Sequence, residues 1–511
     1  MQIISSNKTI FKNTMMLYFR QILTLIVSLY TVRVVLDVLG VENYGIYNVI
    51  GGIVLFFSFL KGSMASATQR FFSFAIGQND EIKLNQIFSV NLFIYFLIGI
   101  VTLVLLEILG LWFVKEHLKL PETKFNTAII VYHFSVLSFF FTIFSTPFTS
   151  AIIAHEDMHI YAYLSIVDVL MKLGVVFLLI FISADKLVLY AQLLFGVSVI
   201  LFVLYGWVCV KKYNECQLNK FYWNKDLFKE IMGFTGWTLF GQFTTAARIQ
   251  AVIVLVNQFF NPITVAAIAV SRNIAGNIQM FSNNFNSSLY PPIIKSYASN
   301  NHKNMFSLIY SGSKITFFLM WIFALPFIIE METILGLWLK SVPKGTILFT
   351  RLALVEVLIN SISMPIQTAA RAPGKMKAYE LTLGSIQIGV FFVSWLMLNL
   401  GYEVHVIFLI AIVANIIMFL IRLLIVRYLV SLSFREFIYK VMLPIVNVVL
   451  VSILISFLFK YYIFSKGILN SFFSILVSGI SVVVSVYYLG LDKEWKNKLK
   501  LMICNRLGIQ L

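Results

Sequence analysis

Six cations interrupt long apolar runs in this chain: Arg20, Arg33, Lys61, Arg70, Arg248 and Arg272. Asp37, Asp168, Lys172 and Glu356 are set in the same kind of surroundings. A charge at bilayer depth is costly unless it meets water, a partner or a ligand, so each is a functional-site candidate. Arginine presents a planar fork that matches phosphate oxygens, which makes anion binding the chemistry to look for. Counted from the polar turn at 40–45, Lys61 lies roughly 15 residues down the following run, near the bilayer centre at 1.5 Å per residue. Arg248 comes late in one run and Arg272 shortly after the turn at 261–262, so their depths are similar, and no carboxylate is close to either in sequence. With Lys61 they are expected to form a cationic cluster between two lobes. It would hold a phosphate or pyrophosphate headgroup, unless acidic partners, Glu356 first among them, neutralise it.

The remaining charges each carry two readings. Arg20 is shallow enough to snorkel to the surface or to serve a site. Arg33 and Asp37 are four apart on one helix face and are expected to neutralise each other. Asp168 and Lys172 repeat that spacing at greater depth, where they form an internal pair or a relay for a coupling proton or sodium ion. Asp37 and Glu356 are further coupling candidates. His155-Glu156-Asp157-Met158-His159 fits the H-E-x-x-H zinc pattern, but it falls in a turn between apolar runs, where the helical context of that motif is missing. No phosphate-binding glycine loop accompanies it, so no metal, nucleotide or other cofactor is expected.

The elements that must carry these residues are membrane helices. The chain has 511 residues, 60% of them hydrophobic and 12% charged, and its mean hydropathy of +0.90 excludes a soluble domain. Apolar runs long enough to cross a bilayer number roughly 14, among them 13–39, 46–74, 231–260, 263–294, 437–460 and 468–490. The turns at 40–45 and 261–262 are short enough to make their flanking helices antiparallel neighbours. Met1–Phe11 is polar and no small-residue cleavage site follows the first run, so that run is expected to stay in the protein. The formal charge of +17 follows from topology rather than from nucleic-acid binding. Lysines and arginines collect in alternate loops, which places both termini in the cytoplasm. Cys209, Cys216 and Cys504 are too few for a disulfide framework.

Two landmarks recur in the same order. Ile108-Leu109-Gly110-Leu111-Trp112 returns as Ile334-Leu335-Gly336-Leu337-Trp338. Ser145-x-Pro147-x3-Ala151-x6-Met158-x2-Tyr161 returns as Ser363-x-Pro365-x3-Ala369-x6-Met376-x2-Tyr379. The chain is therefore read as an all-α polytopic membrane protein with two parallel six-helix repeats, 1–212 and 231–432. A cytoplasmic linker at 213–230 joins them, and two extra helices with a basic tail occupy 433–511. Parallel repeats of even span number belong to alternating-access transporters. Pro147 and Pro365 fall inside corresponding spans, where proline kinks a helix.

The run Val35-Leu36-Asp37-Val38-Leu39-Gly40-Val41-Glu42-Asn43-Tyr44-Gly45-Ile46-Tyr47, then Gly51-Gly52 and Gln69-Arg70-Phe71-Phe72, resembles the Wzx-type polysaccharide flippases. These belong to the multidrug/oligosaccharidyl-lipid/polysaccharide exporter (MOP) superfamily. The resemblance implies a V-shaped pair of six-helix lobes in the bacterial inner membrane, with Arg20, Arg33, Lys61, Arg70, Arg248 and Arg272 lining a central cavity. It implies movement of undecaprenyl-pyrophosphate-linked repeat units to the periplasmic leaflet for O-antigen, lipopolysaccharide or capsule synthesis. Polysaccharide polymerase and chain-length machinery would be partners, and Na+ or H+ the coupling ion. The chain would then be a transporter and not an enzyme. The rival readings are a drug/cation antiporter of the same superfamily, which would want an acidic cavity, and a membrane polysaccharide polymerase or ligase, which would want a large outer loop.

Overall fold

A computed structural model describes residues 7–118, 122–182, 185–260, 262–339, 342–462, 467–492 and 496. The tail with Cys504, and the loop lysines Lys119, Lys340 and Lys466, lie outside the described residues. Every regular element described is helical. In chain order they are α1 (Asn7–Phe56), α2 (Ser58–Gln78), α3 (Glu81–Leu105), α4 (Leu111–His117), α5 (Phe125–Phe144), α6 (Thr146–Ala154), α7 (Met158–Phe181) and α8 (Lys186–Lys212). There follow α9 (Lys225–Phe259), α10 (Pro262–Ala298), α11 (His302–Trp338), α12 (Thr346–Arg371), α13 (Lys377–Asn399) and α14 (Val406–Val430). The short α15 (Phe434–Phe437), α16 (Leu443–Tyr462) and α17 (Ile468–Ser485) complete the chain.

Twelve of the described helical segments are long and apolar enough to cross a membrane, and a thirteenth is a pair bent by 46°. This is the architecture of a multi-pass membrane protein. α10 is long enough at 37 residues, but Ser271, Arg272, Asn273, Asn277, Ser282, Asn283, Asn284 and Asn286 lower its hydropathy. It is the run at 263–294, counted among the roughly 14 expected spans, that is not among these.

The polar turn expected at 40–45 is reduced to one residue. Helical geometry fails at Gly40 alone (φ 78°, ψ 162°), in a region that glycine enters without a steric penalty. Asn43 Nδ2 donates to the Leu39 carbonyl across the break at 2.9 Å. The second span then bends between Val54 and Ser58, three residues before Lys61. Lys61 therefore does not hang from a straight helix, and its depth cannot be counted at 1.5 Å per residue as the sequence reading did.

Pro147 follows Ser145, the single residue of helical geometry (φ −75°, ψ −14°) at which α5 passes into α6 within the span Phe125–Ala154. Pro365 sits inside an unbroken α12, with its ring close to Gly312 of α11. The second copy of the Ile-Leu-Gly-Leu-Trp landmark follows a kink in α11 at Glu330 (φ −106°, ψ 25°).

The described helices form two compact units. Unit 1 comprises Met1–Phe243, Ile294–Asn301 and Gly374–Glu380. Its core includes Val35 and Leu39 of α1, Val175, Val176 and Leu179 of α7, and Tyr190 and Val197 of α8. Thr68 of α2 donates to Asn91 Oδ1 of α3 at 2.9 Å, a fully buried polar link. Unit 2 comprises Thr244–Ile293, His302–Pro373 and Leu381–Leu511. In it α12 packs between α11 and α14, and α16 and α17 lie against α11. Those last two helices are fixed by polar contacts on an apolar background: Trp321 Nε1 to Ser452 Oγ at 3.0 Å, Ser456 to Ser481 at 3.0 Å, and Lys460 to Glu330 at 3.0 Å.

Candidate functional site

In unit 2 three helices bring charges to one point. Arg248 stands on α9, Arg272 on α10 and Glu356 on α12. Arg272 Nη1 lies 2.5 Å from Glu356 Oε2, and Arg248 Nη2 lies 3.6 Å from Glu356 Oε1. Asn415 of α14 directs its amide nitrogen at the same Oε1 from 3.5 Å. The carboxylate is almost fully buried at 7% exposure, whereas Arg272 remains 32% exposed. Two formal positive charges thus share one negative charge. The Arg248 Nε is buried with no hydrogen-bond partner, so that guanidinium is not saturated.

Local helical spacing supplies the walls. Arg248, Ile249, Val252 and Ile253 of α9 recur at the four-residue interval that keeps side chains on one face, as do Ile268 and Arg272 of α10. With Val390, Ile407 and Phe408 they line an open cavity with room for about 30 Å³. The Arg272 guanidinium stacks over the Phe408 ring at 5.0 Å, a cation–π contact that orients its fork. Next to Arg272, Ser271 accepts from Thr350 Oγ1 at 3.1 Å and donates to the Thr346 carbonyl at 3.3 Å, which ties α10 to α12. Chemically this is a pair of guanidinium groups sharing one buried carboxylate beside an apolar-lined cavity.

Unit 1 gathers a second set. Lys172 Nζ lies 2.9 Å from the Asp168 carboxylate, one turn away on α7. Lys61 of α2 is within electrostatic reach of Asp168, Lys172 and Tyr161, and Arg20 of α1 covers the Tyr161 ring at 4.9 Å. Of the residues expected to act together, the structure therefore collects Arg20, Lys61, Asp168 and Lys172 in unit 1, and Arg248, Arg272 and Glu356 in unit 2. Arg33 and Asp37 are both exposed and, among the described residues, form no ion pair with each other. Their expected mutual neutralisation is not present among the described residues. Arg70 is 4% exposed, enclosed by Phe71, Phe74 and Phe234 and 3.6 Å from Glu230. That is a packed position, not one open to solvent.

The zinc-like turn is occupied by other chemistry. His155 Nε2 meets Glu215 Oε1 at 2.5 Å and stacks on Tyr213 at 4.4 Å. Glu156, at φ 65°, pairs with Lys295 at 2.7 Å while its carbonyl accepts from Asn13. Asp157 accepts from Tyr213 at 2.7 Å and Lys212 at 2.9 Å. Burial alone would push the Asp157 carboxyl up, but the bonds from Lys212 and Tyr213 outweigh it and hold the group below its usual range. The same balance, won by His155, holds Glu215 down. Cys209 and Cys216 are buried free thiols.

Sequence reasoning missed Phe408 and Asn415. A phenylalanine in an apolar helix carries no signal. Asn415, in Ala411-Ile412-Val413-Ala414-Asn415-Ile416-Ile417, is a polar residue in apolar surroundings and could have been flagged. It also missed Lys295 as the partner of Glu156, since 139 residues separate them.

No family model matches the sequence, and no curated protein does. Solved structures do match the fold. An outward-facing multidrug resistance MATE family transporter of the MOP superfamily superposes with a TM-score of 0.72 at 13% identity, over 83% of this chain and 96% of its own. A MATE point mutant gives 0.72 at 14%, over 84% and 99%. A MOP superfamily transporter from Pyrococcus furiosus gives 0.70 at 14%, over 83% and 96%, and is described as having a binding pocket of reverse polarity that suggests a different function. At these identities the likeness establishes architecture, and the chain has the fold of the MATE transporters of the MOP superfamily.

Proposed function

We propose that this chain is an alternating-access flippase. It would move undecaprenyl-pyrophosphate-linked oligosaccharide across the inner membrane, both termini in the cytoplasm, for surface polysaccharide synthesis. The observation that carries the reading is the pair Arg248 and Arg272 converging on one carboxylate beside an open, apolar-lined cavity. An excess of guanidinium charge there favours a phosphate-bearing ligand over a cationic drug. The Wzx-like run around Gly40 points to the same substrate class. The multidrug reading draws on the fold, since a neighbour is named as a multidrug resistance transporter. The other neighbour's reversed pocket polarity supports the view that one fold serves ligands of opposite charge. Binding alone does not give direction; the substrate must bind the two conformations differently.

The test is to delete the gene and measure lipid-linked oligosaccharide on each leaflet, then complement with wild type, Arg272→Ala or Lys61→Ala. Cytoplasmic accumulation that wild type clears and Arg272→Ala does not is the expected result. The Lys61→Ala arm probes unit 1 separately. Unpolymerised units on the outer leaflet would favour a polymerase or ligase. Altered drug sensitivity without accumulation would favour the antiporter.

A further inference from the structure

α10 carries polar residues on two faces. Ser271 and Ser282 lie on the buried one. Ser271 accepts from Thr350 Oγ1 of α12 at 3.1 Å, and Ser282 donates to the Thr316 carbonyl of α11 at 2.9 Å. Both partners stand within helices long and apolar enough to cross a membrane, so these bonds fix the stretch between them at membrane depth. Arg272, Gly276, Met280, Asn283 and Ser287 form another row, at intervals of four, four, three and four residues, which keeps them on one helix face. Asn273 and Asn277 flank that row and are joined by a bond from Asn277 Nδ2 to Asn273 Oδ1 at 2.8 Å. The row beyond Arg272 and both flanking asparagines are exposed, and a Cβ on Gly276 would meet no atom within 4 Å.

An amide turned to lipid at that depth leaves its donors and acceptor unpaired, which is costly. Polar side chains inside a membrane therefore face water or a ligand. The chemistry of this face is uncharged: between Arg272 and Lys295 the sequence holds no Asp, Glu, Lys, Arg or His, and five asparagines. A cationic drug finds no carboxylate here. An asparagine side chain both donates and accepts, which matches a sugar hydroxyl, a group that does the same. The Asn273–Asn277 bond leaves the Asn273 amino group and the Asn277 carbonyl oxygen for a ligand. Met280 adds an apolar surface suited to the C–H face of a sugar ring. We propose that this face of α10 binds the glycan of a ligand whose phosphates meet Arg272, with Asn273, Asn277 and Asn283 holding sugar hydroxyls. The proposal rests on the flippase reading and adds where the sugars are recognised. From Arg272 to Ser287 the row rises about 22 Å at 1.5 Å per residue, long enough for several sugar rings in line.

The test compares two ligands that differ only in the glycan: lipid-linked repeat units extracted from the source cells, and undecaprenyl pyrophosphate without sugar. The affinity of each for full-length protein in detergent is measured. Wild type is expected to bind the glycan-bearing form about tenfold tighter, roughly what one or two net hydrogen bonds give. Asn277→Leu and Asn283→Leu should each weaken that form about three- to tenfold and leave the bare carrier unchanged, which also reports that the variants fold. Arg272→Ala should weaken both ligands alike. Equal affinity of wild type for the two ligands, or leucine variants that bind both as wild type does, overturns the glycan face and leaves the pyrophosphate site standing. No binding of either ligand to wild type removes the flippase reading and the glycan face together. A leucine variant that unfolds at a higher temperature, with binding of the glycan-bearing form undiminished, would mean that this face meets lipid, which also overturns the proposal.

Discussion

Lys295 with Glu156 in unit 1, and Arg248 and Arg272 with Glu356 in unit 2, are both buried ionic clusters, but they differ in stoichiometry. The first is one cation to one anion at 2.7 Å, with both side chains under a tenth exposed. The second is two cations to one anion, with Arg272 reaching an open cavity. A balanced pair has nothing left to offer a ligand. An unbalanced one is an unfinished site. The difference separates a charge pair closed on itself from a cluster with cationic charge to spare, and mutation can break it in either direction.

The largest effect is expected at the balanced pair. Lys295→Ala leaves the Glu156 carboxylate buried without its cation, a loss of about 3–5 kcal/mol. Combining Lys295→Met with Glu156→Gln should recover most of it, because both charges are then gone. Thermal unfolding of the full chain in detergent reads both. A double variant no more stable than the single would show that the pair is not what limits the fold there. Next comes the helix contact beneath the same pair. A Cβ on Gly77 of α2 would lie 2.8 Å from the Lys295 backbone, so Gly77→Ala should cost about 1–3 kcal/mol by overpacking. Wild-type unfolding in that variant would mean the two segments separate easily.

At the unbalanced site the ordering reverses. Arg272→Ala leaves Glu356 with Arg248 and Asn415, so the stability cost should be no more than roughly 1–2 kcal/mol, while transport is lost. Arg272→Lys keeps the charge without the fork and should restore only part of the activity. If Arg272→Ala unfolds as readily as Lys295→Ala, the distinction between the two clusters fails.

The sequence shows helical content, membrane character and the Asp168–Lys172 pair plainly, since hydropathy and a four-residue spacing are local properties. Its cation list contained both arginines of the unit 2 site. It also named Glu356 as the first acidic partner to look for, and both arginines meet that carboxylate although 84 residues separate it from Arg272. What no periodicity reports is which helix faces meet, so Asn415 and Phe408 were not placed with them. The break at Gly40 was legible as a turn but not as a single residue, because flanking Val41–Tyr44 are compatible with helix. The bend between Val54 and Ser58 was not legible either, and the count down to Lys61 took the helix as straight. Nothing in the run Ile53–Lys61, which holds neither proline nor glycine, announces the bend.

The smallest effect expected is on acid stability, and it belongs to the saturated turn of unit 1. Asp157 and Glu215 are held below their usual carboxylate range by Lys212, Tyr213 and His155. A carboxyl depressed in the folded protein stabilises the fold at pH above its unfolded value of about 4. That contribution disappears as pH falls through the lower folded value. The unfolding midpoint should therefore be flat from neutral pH to about pH 5 and fall below about pH 4. Asp157→Asn should start from a lower midpoint at neutral pH and lose less on acidification, so that the two curves converge in acid. Curves that stay parallel throughout would mean that Asp157 keeps no folding energy in its bonds to Lys212 and Tyr213. The turn would then resemble the unit 2 site in having charge to spare, and charge balance would no longer distinguish the two regions.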